Sequence, residues 1–247
     1  MPAGSVRELS IRPQAAACAR GRAHENVACA ACHDAWAPTC IGCHTSYEPG
    51  GRMVDLLSNR EARGEWHETG GAVLAEPASL GVRVGPGGKR RVQEFVPGMI
   101  LTIERGPHEA PLFRRLFAPI SPHTIGRQAR SCAGCHSNPV ALGYGRGKLD
   151  FRIAGGVARW TFAPARPLLQ ADGLPEDAWL GFLGARGADS TTREDARPFT
   201  PGEQRRILTV GACLSCHEGA SAVMRAAEED FAATLARRSS RCAVPTF

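Results

Sequence analysis

The sequence predicts little regular secondary structure: a mostly irregular and α fold with one or two small β-hairpins, held by something other than a large protein core. Three observations predict it. Gly 28 and Pro 18 among 247 residues exceed ordinary usage and argue for long irregular connections between short elements. The aromatic share of 6% is thin for a chain long enough to make one large domain or two small ones. Eight of the ten cysteines fall into four identical patterns, which supply a different kind of centre.

Those patterns are Cys29-Cys32-His33, Cys40-Cys43-His44, Cys132-Cys135-His136 and Cys213-Cys216-His217, each a C-x-x-C-H. Random placement of 10 Cys and 8 His would yield roughly 0.01 such patterns in the whole chain. One helical turn of this kind offers two thiols to the two vinyl groups of a porphyrin and sets the following His beneath the iron. Zinc is the competing reading, because two C-x-x-C pairs can make a four-cysteine site. Zinc does not require His after every second Cys, so the spacing points to four covalent c-type haems and a haem-cored fold.

The motifs are unevenly spread. Only the six residues Asp34 to Thr39 separate the first two, whereas 87 residues lie between His44 and Cys132 and 76 between His136 and Cys213. This spacing suggests a two-haem module at 1–69 and a β-containing insertion at 70–122. After them come a third-haem segment at 123–162, a Pro-rich connection at 163–200, and a fourth-haem segment with a C-terminal helix at 201–247. The short tether between motifs 1 and 2 predicts a tightly coupled haem pair.

Within these segments, residues 52–67 read as a helix closed by Gly70-Gly71. Val82 and Val84, the Gly85-Pro86-Gly87-Gly88 turn and the apolar run from Val92 to Ile103 read as a hairpin. A second hairpin is predicted from Leu149–Ile153 and Val157–Phe162 about Gly155-Gly156. Residues 112–117 read as one helical turn, and a short helix is expected near 175–183. Pro201 with Glu203 opens a helix into the fourth motif, and Met224 to Arg238 reads as a terminal helix. Gly143-Tyr144-Gly145-Arg146-Gly147 lacks the Gly-Lys-Ser/Thr ending of a phosphate loop and is a connection.

With His33, His44, His136 and His217 as proximal ligands, four histidines remain: His24, His67, His108 and His123. Four remaining His for four irons is the number that complete bis-His ligation requires. Each also has a plainer role open to it. His24 suits a surface loop, His123 closely precedes the third motif, and His67 suits the end of a helix, where it would complement the dipole. His108, in Gly-Pro-His-Glu, is the weakest of the four, with Met53, Met99 and Met224 as rivals; a Met on a helix such as Met224 more often packs in a core. Cys18 and Cys242 lie outside the motifs, and an oxidising compartment favours a disulfide, between them or to another subunit.

A formal charge of +6 and a pI near 8.9 would raise nucleic acid or an anionic surface as partners. Two ionised propionates per haem reduce that to about +2 oxidised or −2 reduced. The basic pairs, Arg114-Arg115 among them, are dispersed and suit a solvated surface or salt bridges to propionates. No nucleic-acid reading survives. Haem attachment to C-x-x-C-H occurs outside the cytoplasm, so an extracytoplasmic location is expected, although residues 1–23 hold no apolar run of signal-peptide or transmembrane length.

The four motifs resemble those of the multihaem c-type cytochromes. The resemblance rests on the spacing His24-x-x-x-x-Cys29-x-x-Cys32-His33 and on the runs Arg130–His136 and Gly211–His217. It implies four haem c groups in a close-packed row and electron transfer between redox partner proteins or extracellular acceptors. It also implies that a His just upstream of one motif, such as His24, serves a different iron. The family includes periplasmic shuttles and subunits of extracellular filaments. With 247 residues shared among four haems, about 62 each, the chain has material for subunit interfaces, so self-association into a filament is expected, with a soluble shuttle as the alternative. A reductase of a small oxyanion or nitrogen compound is the second alternative. It needs an open iron, and the histidine count leaves none in view.

Overall fold

Strand, not helix, dominates. In the computed structural model, which describes residues 22–41, 44–71, 73–103, 108–122, 124–190 and 193–247, 39% of the described residues are strand and 20% helix. The expected haem-cored, mostly irregular and α fold is therefore corrected to one built on a β-sheet.

In chain order the elements are α1 (Cys29–His33), β1 (Asp34–Cys40), β2 (His44–Asp55), β3 (Arg60–Thr69), β4 (Val73–Glu76), β5 (Ser79–Val84), β6 (Arg90–Ile103) and β7 (Leu112–Pro119). There follow β8 (Thr124–Ile125), α2 (Cys132–His136), β9 (Gly147–Ala154), β10 (Val157–Pro164), β11 (Ala196–Arg197), α3 (Pro201–Leu214), α4 (Ala222–Glu229) and α5 (Phe231–Ala236). A mixed six-stranded sheet runs β11-β5-β6-β2-β3, with β7 also paired to β6. Its pivot is β6, which pairs antiparallel with β5 and β7 and parallel with β2. The sheet thus joins residues of 1–69 to residues of 70–122. A smaller sheet runs β4-β1-β8, and β9 with β10 forms a separate hairpin.

Both hairpins expected from turn chemistry form: Val84 pairs with Arg90 across the Gly85–Lys89 turn, and Ala154 with Val157 across Gly155-Gly156. The helix expected over 52–67 does not form; those residues belong to the β2–β3 hairpin. Its turn explains why. Asp55 accepts from the Leu57 backbone (3.0 Å) and the Ser58 hydroxyl (2.7 Å), and Asn59 takes a left-handed φ of 50°, so local side-chain bonding outcompetes a helix. Gly64 keeps a positive φ of 97° while the Tyr47 ring lies across it, where a Cβ would strike the phenol. The β2–β3 tip is apolar and open to solvent, with Leu56 89% and Leu57 99% exposed.

The turn expected at 112–117 is strand β7. Its Phe117 stacks on Trp179 at 4.8 Å and 3°, with Phe95 of β6 at 4.7 Å on the same indole. Arg115, expected at the surface, is buried instead. Its guanidinium grips Asp172 through two bonds (2.8 and 3.0 Å) and donates to the carbonyls of Pro175, Glu176 and Ala178. Those bonds hold 172–178 as turns rather than the short helix expected near 175–183. α3 begins as expected, with Pro201 at its first turn and a Thr200–Glu203 capping box. The terminal helix is broken in two at Asp230, which caps α5 through Ala233 N–H.

Candidate haem-attachment sites

Motif 1 occupies the single helical turn α1. The segment before it is strapped to β6 by Ala28 N–H to Val92 O (2.8 Å) and Val92 N–H to Asn26 O (2.8 Å). Ala31 is fully buried, which anchors one face of the turn, while Cys29 is exposed and Cys32 half-buried on the others. His33 Nδ1 lies 3.2 Å from Gly126 O, and Gly126 N–H donates back to His33 O at 2.7 Å.

Motif 3 repeats this design on α2. Ser131 caps it by accepting from Gly134 N–H (3.0 Å), and His136 Nδ1 lies 3.1 Å from Ile207 O of α3. A carbonyl can only accept, so in both histidines Nδ1 is the donor and Nε2 is left out of that bond. That orients the ring and frees the nitrogen that binds a metal. Burial, opposed by the Ile207 carbonyl and reinforced by the neighbouring His24, lowers the His136 pKa and favours the neutral ring.

Motif 4 starts in the last turn of α3, and the helical bonding continues past it: Cys216 N–H and His217 N–H both donate to Cys213 O (3.1 and 2.9 Å). Motif 2 differs. Cys40 ends β1 opposite Val73, and His44 begins β2 opposite Thr69 and Ile100, so both lie in strand ladders. Cys43 lies outside the described residues.

Motifs 1, 3 and 4 are gathered together. Asp34, directly after His33, receives both arms of Arg130, two residues before Cys132, at 2.9 and 2.8 Å. Arg130 N–H also donates to Cys32 O (2.6 Å), and its side chain reaches Ala78 O (2.9 Å). Glu94 is buried beside this pair, and its Oε1 has no hydrogen-bond partner among the described residues. Burial pushes the Glu94 carboxyl above its ordinary value, and the Asp34 charge adds to that. On the other flank α3 approaches motif 3 so closely that a Cβ on Gly211 would lie 2.3 Å from His136 O. A Cβ on Gly219, just after motif 4, would lie 2.9 Å from Cys132 Sγ. Within the N-terminal pair, the residues between motifs 1 and 2 form an extended strand of about 3.3 Å per residue that carries Cys40 away from His33.

Burial raises the Cys32 thiol and pushes the Cys135 thiol up to about 11. Cys213 is raised by burial and then by the nearby Cys242. Among the described residues, no three of His, Cys, Asp and Glu stand together as a metal-holding group. Cys18, the other half of the expected disulfide, lies outside the described residues.

The remaining histidines have separate settings. His24 ends a 3-10 turn (Arg22–His24), and its ring centre is 6.1 Å from that of His136. His67 is exposed on β3 with Nε2 3.3 Å from Glu48 Oε2, and not at a helix end. It shares one hairpin face with His44, diagonally adjacent, so the two stand side by side rather than face to face. His108 is exposed between β6 and β7, and His123 lies outside the described residues. Met53 is exposed on β2, Met224 is buried in α4, and Met99 lies in β6.

Sequence reasoning missed Asp34, Arg130 and Glu94. The first two were visible only as neighbours of motifs, with nothing local to pair them. Among the described residues, no helix is long and apolar enough to cross a membrane. Comparison of the chain with family models, curated proteins and solved structures finds no match.

Proposed function

We propose that this chain binds four c-type haems and transfers electrons, with the third site as the junction between the first and the fourth. One observation carries the reading. His33 and His136 each follow a C-x-x-C on a single helical turn, and each has Nδ1 committed to a backbone carbonyl, which leaves Nε2 for iron. The residues fit the group: two thiols on one turn, an oriented imidazole after them, and a glycine at 219 where a side chain would press on Cys132 Sγ. Bound haem would supply the one-electron Fe(III)/Fe(II) couple. The chain would supply the rest. His33, His44, His136 and His217 are the proximal ligands of this reading, His24, His67, His108 and His123 the distal set, and the Asp34–Arg130 pair fixes the first and third sites to each other. The location is extracytoplasmic, and the partners are redox proteins or extracellular acceptors.

Intact mass of acid-denatured protein, matured in a host that attaches haem to C-x-x-C-H, tests this directly. Four haem groups above the polypeptide mass are expected, and three or fewer would overturn the reading.

The exposed Leu56-Leu57 tip favours self-association, with a second copy of the chain as its partner. Sedimentation of the detergent-free holoprotein at micromolar concentration should show assemblies that Leu56→Glu with Leu57→Glu disperses. A wild-type protein that sediments as monomer returns the reading to a shuttle.

A further inference from the structure

We infer that His24 is the sixth ligand of the iron held by His136, so that the N-terminal segment clasps the third haem while carrying the first. The inference rests on the four-haem reading above and adds to it the identity of one ligand pair.

The geometry points to this pair. The two ring centres lie 6.1 Å apart with the planes at 70°. Metal–imidazole bonds are about 2.0 Å, and a ring centre lies roughly 1 Å behind its nitrogen, so imidazoles on opposite faces of one metal are centred about 6 Å apart. The observed separation of the ring centres matches that distance. His136 Nδ1 is already committed to Ile207 O, so its remaining lone pair is the one at Nε2. His24 is held in its turn by Val27 N–H to His24 O (3.0 Å) and then by the strapping of Asn26 and Ala28 to β6. It is thus presented by a braced segment rather than a loose end.

The sequence distance makes the arrangement an interlock. Only Glu25 to Ala28 lie between His24 and Cys29, so one short segment holds a ligand for one iron and both thiols for another. Arg130 pulls the same two sites together from the opposite direction through Asp34. Motifs 1 and 3 therefore exchange a ligand one way and an ion pair the other way.

An edge-to-face pair of aromatic rings also falls within 4.5–7 Å, and the test must separate contact from ligation. His24→Phe keeps the ring and removes the lone pair. In the oxidised holoprotein it should convert one iron in four to high spin by electron paramagnetic resonance, with the mass still showing four haems. Added imidazole should restore the low-spin signal. Unchanged spectra would overturn the assignment while the mass upheld the haem reading. A second variant locates the iron. With Cys132→Ala and Cys135→Ala removing the third haem, adding His24→Phe should leave the other three low-spin. A new high-spin iron in that background would place His24 on a different haem and sink the inference. His24→Met serves if the Phe variant does not accumulate: it should raise the potential of one haem and add a single Met–iron band, and the absence of both would count against the pairing.

Discussion

Asp34 and Arg130, 96 residues apart in the chain, form a buried two-bond ion pair whose side chains are 0% and 7% exposed. Each flanks a C-x-x-C-H motif, so the pair sets the spacing of two such motifs. Removing one partner strands a buried charge, which costs about 3–5 kcal/mol. Asp34→Asn should therefore lower the denaturant midpoint strongly. Arg130→Met together with Asp34→Leu should recover most of the loss, because two apolar groups leave no orphan charge. If the double variant is as unstable as the single ones, the pair is not what joins the sites.

The buried Glu94 carboxyl gives the stability a pH dependence of definite sign. Its folded pKa is raised above the ordinary 4.5 by burial and by Asp34, so the folded chain holds a proton that the unfolded chain releases. That contribution is fully present below pH 4.5 and is lost as pH rises through the folded value. Glu94→Gln should flatten this part of the curve and leave the variant relatively more stable at neutral pH. Urea unfolding across pH 4 to 8 is the measurement, and parallel curves for the two proteins would contradict it.

Glu203 behaves in the opposite sense. Burial opposes its ionisation, but bonds from Arg197 and Thr200 outweigh that and bring it down to about 2. Its contribution is present above pH 4.5 and is lost as pH falls toward 2. Glu203→Gln should cost about 1 kcal/mol at neutral pH by weakening the cap of α3, with the difference vanishing in acid. Far-ultraviolet circular dichroism during acid titration would read it.

Gly211 is where α3 meets the third motif, and Gly211→Ala should strain that contact. A Cβ there meets backbone, not a flexible side chain, so α3 must shift. A loss of about 1–3 kcal/mol is expected, together with an altered environment for His136, whose Nδ1 partner Ile207 lies one turn earlier in the same helix. Gly202→Ala, in the first turn of α3 with open space around it, is the matched control and should be close to neutral.

What could be read from the sequence was what is local. Each C-x-x-C-H motif declares itself within five residues. The β5–β6 and β9–β10 hairpins follow from glycine turns between alternating residues, and α3 from Pro201 and Glu203. The β2–β3 hairpin was missed because its turn is made by Asp55, Ser58 and Asn59, in a window without proline and with no glycine before Gly64. β7 was missed because Arg115 occupies a core position and breaks the apolar alternation. Its burial depends on Asp172, far along the chain. The gathering of motifs 1, 3 and 4 rests on such distant pairs throughout, and no periodicity encodes them.

The half-buried thiols of Cys32 and Cys135 have a bearing on biogenesis. Once Arg130 has closed on Asp34, both face the junction between two sites, and burial holds Cys135 as a protonated, sluggish thiol. An attachment enzyme would reach them far better on an open chain, so on the four-haem reading maturation runs ahead of folding. The first motif would be loaded as the N-terminal segment emerges, and docking of residues 130–136 would then close over Cys32. Apoprotein refolded before exposure to haem should thus accept it poorly at Cys135, while the same chain kept unfolded should load all four sites.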